Sequence, residues 1–257
     1  IGDRVLFKAV TIRGGITVDA IVTTITVKDA TVKNYESGTG AGGAATNFQA
    51  DVDIAAANGY AEFQFEFYQT DASIVANCNA SITCAGSTKV ILENVNISII
   101  DIDYFQWNEV NDVESYTVSD PTNIKECVQS SWTSPAVTCT ARVAQAGLSY
   151  PANLRFQGPD GIDSTLPQDM AIMNFGQVET FKIKFGRSKS GSPNYYGIAF
   201  KAQPWGQATP ATNGPAAQTY SIVYDGNGKT SGSVPASHTG VVGSHFTTSG
   251  NTGTLVK

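Results

Sequence analysis

Asp101-Ile102-Asp103, followed eleven residues later by Glu114, is the part of this chain whose residue types and spacing best support chemistry. The triplet stands where the β-branched run 95–100 ends, at the exit of a predicted strand. Aspartates at i and i+2 leave a strand on the same side, and a bend in the following loop can return Glu114 to them. Gathered carboxylates repel unless a cation neutralises them. Ca²⁺ takes about six to eight oxygens from carboxylates, carbonyls and water. The spacing lacks the glycine and the loop length of an EF-hand, so such a site would be of another type. Asp112 is the substitute for Glu114, and Asp51 and Asp53 are candidate further ligands. The alternative is that these acids are simply solvated loop residues.

A ligand surface is the next candidate. Tyr104, Phe105 and Trp107 fall together in a predicted loop, and Tyr195 and Tyr196 stand side by side. Exposed aromatics present large contact areas to a sugar face or a peptide. The competing reading places them in the core of a β-sandwich. Catalysis has little support. The only histidines are His238 and His245, far from any other candidate in sequence. A Ser–His–Asp arrangement would have to form across a linker, and a paired-carboxylate glycosidase needs a deeper cleft than short strands offer. We therefore expect no enzyme.

Cysteines are Cys78, Cys84, Cys127 and Cys139, in two local pairs with five and eleven residues between partners. Without a Cys-x-x-Cys and with both histidines far away, zinc is poorly supported. An even count in an apparently extracellular chain favours two disulfides. Cys78–Cys84 with Cys127–Cys139 is the preferred pairing among three. Asn79-Ala80-Ser81 and Asn96-Ile97-Ser98 match the N-glycosylation acceptor pattern.

The elements that must position these residues read as strands. Residues 61–68, AEFQFEFY, put Phe63, Phe65 and Phe67 on one face and Glu62, Gln64 and Glu66 on the other. Further strands are predicted at 4–10, 16–23, 25–27, 48–54, 89–92, 95–99, 115–118, 180–185 and 195–200. No segment longer than about ten residues has a helical period, although a short helix is expected over 124–131. Many short strands between turn signals predict an all-β fold, a jelly-roll-like antiparallel sandwich over 1–203. Residues 204–218, with Pro204, Pro210 and Pro215, read as an extended linker. Residues 219–257 form a separate region.

Composition narrows the partners. The chain has 257 residues, 16 basic and 22 acidic, a formal charge of −6, and no basic run. Nucleic acid is therefore not expected as a partner. No apolar stretch of about 18 residues occurs, so no membrane span is expected. The strand-like opening is read as a mature N-terminus from which any targeting segment has been removed.

In the last region, Tyr220, Ile222 and Tyr224 alternate before Asp225-Gly226-Asn227-Gly228, whose residues accept positive φ. With Thr230–Pro235 and Gly250–Lys257 this run resembles the Listeria–Bacteroides, or internalin B-type, repeat of bacterial surface proteins. The resemblance implies a small β-grasp unit in a secreted, modular surface protein without catalytic residues. That family's repeat continues into an aromatic-rich stretch not present here. This leads us to expect either an interrupted repeat or one completed by a neighbouring subunit, the latter building a filament. A second resemblance is carried by Gly14-Gly15-Ile16-Thr17-Val18-Asp19-Ala20, Ile100-Asp101-Ile102-Asp103 and Glu114-Ser115. These resemble the lectin-like β-sandwich domains of large bacterial adhesins. That resemblance implies a calcium site of Asp19, Asp101, Asp103 and Glu114; Tyr104, Trp107, Tyr195 and Tyr196 stay the ligand-binding candidates on their residue type alone. The function expected is an extracellular adhesion module at the bacterial cell surface, binding a host or neighbouring-cell glycan or protein. A filament subunit self-associating through the incomplete repeat, and a carbohydrate-binding module of a secreted enzyme, are the alternatives.

Overall fold

The structure, a computed structural model, describes residues 1–35, 47–70, 88–129, 152–160, 167–192, 194–200, 209–213, 219–241, 250 and 254. The chain divides into two compact units, Ile1–Gly214 and Pro215–Lys257. In chain order the first unit holds β1 (Arg4–Arg13), β2 (Ile16–Lys28), β3 (Ala30–Asn34), β4 (Asn47–Ile54), β5 (Tyr60–Gln69), β6 (Leu92–Ile100) and β7 (Gln106–Val113). It continues with β8 (Ser115–Asp120), β9 (Lys125–Gln129), β10 (Ala152–Gln157), a 3-10 turn at Pro167–Asp169, β11 (Ala171–Val178), β12 (Thr180–Arg187), β13 (Tyr195–Ala199) and β14 (Thr209–Asn213). β15 (Thr219–Ile222) and β16 (His238–Val241) belong to the second unit.

Two antiparallel seven-stranded sheets pack into a sandwich, as the strand pattern predicts. The first runs β1-β2-β5-β12-β7-β10-β9 and the second β14-β8-β11-β6-β13-β4-β3. From β4 to β8, and again from β10 to β13, every connection changes sheet. The late strand β12 consequently lies between β5 and β7, and β11 between β6 and β8. This interleaving of distant strands is the wrapping of a jelly roll.

Alternation decides which side chains meet. Phe63 pairs with Ile183, Ile183 with Val110 and Val110 with Leu154, so all four point to one face. They are buried in the core between the sheets. Phe48 of β4 meets Phe65 of β5 edge-on at 5.2 Å, Tyr196 of β13 stacks on Phe185 of β12 at 5.0 Å, and Tyr116 of β8 meets Phe156 of β10 at 5.3 Å. Each such ring withdraws enough apolar surface to stabilise the fold by about 2–3 kcal/mol. At the hairpin between β1 and β2, Gly14 and Gly15 have φ of 54° and 80°. Two successive residues in that region make a tight turn whose twist suits an antiparallel pair.

Two expectations need correcting. The helix expected over 124–131 is instead β9, antiparallel to β10 with Cys127 opposite Arg155. A segment without a helical stripe gains more from completing a ladder at a sheet edge. The linker expected over 204–218 is interrupted by β14, whose five residues pair with β8. Pro210 is tolerated there because β14 is the edge of the second sheet, where one side of the strand needs no ladder donors. In the second unit β15 and β16 are antiparallel. The Asp225–Gly228 turn is present, with Asn227 and Gly228 at φ of 45° and 73° and Asn227 N–H donating to Asp225 Oδ1 at 2.9 Å. It does not close a short hairpin, since β16 begins only at His238.

Candidate functional site

The connection from β6 to β7 is short and forced. β6 ends at Ile100, Asp101 follows with φ of 65°, and Tyr104 and Phe105 have φ of 45° and 70° before β7 begins. Bulky residues in the left-handed region cost on the order of 1–3 kcal/mol each and persist only where surrounding structure holds them. Here it does. Asp103 O accepts from Gln106 N at 2.7 Å, and Ile102 N donates to Asp169 O at 2.9 Å. Phe105 N donates to Pro159 O at 3.1 Å, and Ser188 N donates to Phe105 O at 2.9 Å, joined there by Ser188 Oγ at 3.2 Å. Gly158 lies so close that a Cβ on it would stand 2.4 Å from Ile102 O.

Arg187, the last residue of β12, completes the support. Its Nε donates to Tyr104 O at 2.9 Å, and its guanidinium carbon is 5.0 Å from the Tyr104 ring centroid and 5.8 Å from that of Phe105. A Cβ on Gly191 would sit 1.4 Å from Arg187 Nη1, so the guanidinium occupies space that only glycine leaves. The exposed Lys189 places Nζ 3.8 Å from the Phe105 ring centroid. Tyr104 remains 48% exposed. The arrangement is an exposed Tyr104 ring backed by the buried Arg187, beside a Phe105 ring covered by the exposed Lys189. Among the described residues no carboxylate forms an ion pair with either cation.

The other aromatic candidates are packed away. Trp107 is 1% exposed, with the Arg155 guanidinium 4.1 Å above its ring, Tyr60 at 5.9 Å and Gly186 in contact with its edge. Tyr196 is a core ring whose OH donates to Gly186 O at 2.9 Å, and burial pushes its phenol well above the usual range. Tyr195 is half-buried, opposite Asp51. Alternation explains these fates: Trp107 is the second residue of β7, a strand between two neighbours, so both of its flanks are occupied.

The acids are dispersed. Asp101 and Asp103 share the turn, and Asp103 is buried. Asp19 lies on β2, three strands from β7 in the first sheet, fully buried, where Oδ1 accepts from Ala9 N at 2.7 Å and Thr70 Oγ1 at 2.5 Å. Ala9, with φ of 53°, is the bulged residue of β1, so Asp19 satisfies a donor that the ladder leaves out. Glu114 is exposed between β7 and β8, with its carboxylate over Gly176. Asp112 accepts from Asn111 Nδ2 at 2.6 Å. Asp51 and Asp53 project from β4, where Lys33 Nζ is 3.2 Å from Asp53 and Ser192 Oγ donates to it. The Ser192 bond, with help from Lys33, holds the Asp53 carboxyl below its ordinary range, whereas desolvation and the Asp53 charge push Asp51 up. Among the described residues no three His, Cys, Asp or Glu side chains converge as a metal-binding group. Cys127 is buried on β9 and disulfide-bonded. Cys78, Cys84, Cys139 and His245 lie outside the described residues, and His238 opens β16.

Three features escaped sequence reasoning. Arg187 and Lys189 come from a turn 83 or more residues from Tyr104, and only their place at a strand end hinted at a surface role. Asp169 is fully buried, its Oδ1 accepting from Asn123 Nδ2 at 3.0 Å, while its Oδ2 is buried without a hydrogen-bond partner. The third is a row of buried charges on the face of the first sheet turned away from the core. There Glu109 accepts from Arg155 Nε at 2.8 Å and from Lys184 Nζ at 3.0 Å, beside Glu62. A groove of about 260 Å³ between β1 and the start of β6, with the Arg13–Glu93 ion pair among its lining residues, is smaller than typical small-molecule sites. Compared with protein-family models, with curated proteins and with solved structures, the chain matches none.

Proposed function

We propose that this chain is a non-enzymatic adhesion module of the bacterial cell surface that contacts a glycan or protein ligand through the Tyr104–Phe105 turn. The observation that carries this reading is the pair of left-handed aromatic residues, pinned by hydrogen bonds from three other segments while Tyr104 stays exposed. Strain retained by surrounding structure is characteristic of positions held for binding. The resemblance of residues 219–257 to a surface-protein repeat supports the extracellular setting. Cell-binding by the fluorescently labelled chain tests it: Tyr104→Ala, with unchanged melting temperature, should abolish attachment, and attachment at the original level would overturn the reading.

Calcium belongs to this reading as a stabiliser of the same turn. Asp101 and Asp103 lie in it and would supply two carboxylates, with backbone carbonyls and water completing the shell, since no third acidic side chain of the described residues converges on them. Asp19 and Glu114 do not fit that ligand set, being committed to the β1 bulge and to an exposed junction on other elements. Ligand bound only by the native state raises stability with the logarithm of saturation. Melting should therefore rise with calcium, fall with chelator, and lose the response in Asp101→Asn with Asp103→Asn. The disulfide pairs Cys78–Cys84 and Cys127–Cys139 complete the proposal, to be checked by non-reducing peptide mapping.

A second reading is a filament subunit. Among the described residues the second unit has only a two-stranded sheet with Val223 exposed beside it, and isolated hairpins are marginal in water. Electron microscopy at high concentration decides it: discrete particles alone would remove this reading.

A further inference from the structure

We infer that the Tyr104–Phe105 turn takes an anionic carbohydrate, a sugar bearing a carboxylate or sulfate, with Tyr104 stacking on the pyranose ring and Lys189 pairing with the anion. The inference rests on the adhesive reading above and names its ligand class. Charge comes first. The chain carries −6 overall, yet Arg187 and Lys189 stand together at this turn with no carboxylate of the described residues paired to them. Arg187 is buried and spends its Nε on Tyr104 O, so it acts as a positioning residue that fixes the ring and lends positive potential beneath it. Lys189 is exposed, its Nζ over the Phe105 ring, and among the described residues no hydrogen-bond acceptor claims its donors.

Shape argues for a sugar over a peptide. Peptides that add to a sheet need unpaired backbone donors and acceptors. At this turn Tyr104 O is taken by Arg187, Phe105 O by Ser188 and Phe105 N by Pro159. Beside these spent backbone groups stand the exposed Tyr104 ring and the Lys189 ammonium. Together they match the apolar C–H face and the charged substituent of an acidic pyranose.

Isothermal titration with a galacturonate oligosaccharide, its carboxyl-reduced neutral counterpart, a sulfated oligosaccharide and a polyglutamate peptide tests this directly. Binding of the galacturonate or the sulfated oligosaccharide is expected, with the preferred one identifying the anion. It should weaken with salt, drop about tenfold or more in Lys189→Ala, be retained in Lys189→Arg and be lost in Tyr104→Ala, a tenfold loss being about 1.4 kcal/mol. Equal binding of the neutral sugar, still lost in Tyr104→Ala, overturns the anionic inference and leaves the adhesive surface standing. Polyglutamate bound as tightly as the sugars overturns it in favour of an acidic peptide. Sugar binding that is indifferent to Lys189→Ala overturns it even if Tyr104→Ala fails to fold. Cell attachment that survives Tyr104→Ala removes the underlying adhesive reading instead.

Discussion

The two faces of the first sheet are built from the same strands and use opposite chemistry. On the core face, Phe63, Phe65, Phe181 and Phe185 are buried against the second sheet. On the other face, one residue away along each strand, Glu62, Lys184, Glu109 and Arg155 form a row that is 1–6% exposed. Burial on the core face is non-directional and roughly proportional to area. On the charged face, desolvation of the ions nearly cancels their attraction, so the row adds little net stability but punishes the loss of any one member. The two faces therefore differ in what they tolerate: the aromatic face asks for volume, and the charged face asks for partners.

The charged face should break most sharply. Glu109→Leu removes the carboxylate that accepts from both Arg155 and Lys184, all buried, and is expected to cost about 3–5 kcal/mol in denaturant unfolding. Replacing all three together, with Arg155→Met and Lys184→Met, should restore most of that loss. If the single substitution is benign, the row is solvated in solution and the contrast fails. Next comes Gly186, where a Cβ would lie 2.1 Å from Trp107 Cζ2. Gly186→Ala should cost about 1–3 kcal/mol by overpacking and shift the Trp107 fluorescence. A smaller effect is expected on the aromatic face itself: Phe65→Leu keeps an apolar filler and should cost about 1–1.5 kcal/mol with unchanged cooperativity.

The smallest effect concerns the outer face of the second sheet, where charges remain partly solvated. Asp53 is held below its ordinary value and Asp51 above it. The lowered Asp53 contributes stability that is present above the unfolded aspartate range, about pH 4, and is lost as pH falls through its folded value. The raised Asp51 does the reverse: its contribution is full below that range and disappears as pH rises through its folded value. Carboxyl NMR titration should show two separated transitions, Asp53 below Asp51. Ser192→Ala should raise the Asp53 transition, and coincident transitions would remove the argument.

Much of the fold was legible because alternation is a local property. The run AEFQFEFY announced β5 and the faces of its residues, and Asp225–Gly228 announced a turn whose positive φ values at Asn227 and Gly228 are observed. The strand at 125–129 and β14 at 209–213 were not legible. Short segments join a sheet edge when a neighbour offers a ladder, and that neighbour is distant in sequence. The same limit governed the site. Clustering of Asp, Tyr, Phe and Trp over 101–107 singled out the connection between β6 and β7. It could not separate Tyr104, which stays exposed, from Trp107, which enters a central strand and is buried.

By itself the amino-acid sequence determined the period, and with it an all-β chain whose clearest strand, over 61–68, has one aromatic and one polar face. Side-chain direction follows from backbone geometry within a strand and needs no partner. Only the tertiary structure decided which polar faces would be buried and which turns would be armed. Inserting β12 between β5 and β7 brings Lys184 opposite both Glu62 and Glu109, and the same strand delivers Arg187 to Tyr104. Register between strands more than 70 residues apart depends on the whole sandwich closing at once. Composition and spacing along the chain carry no direct record of it.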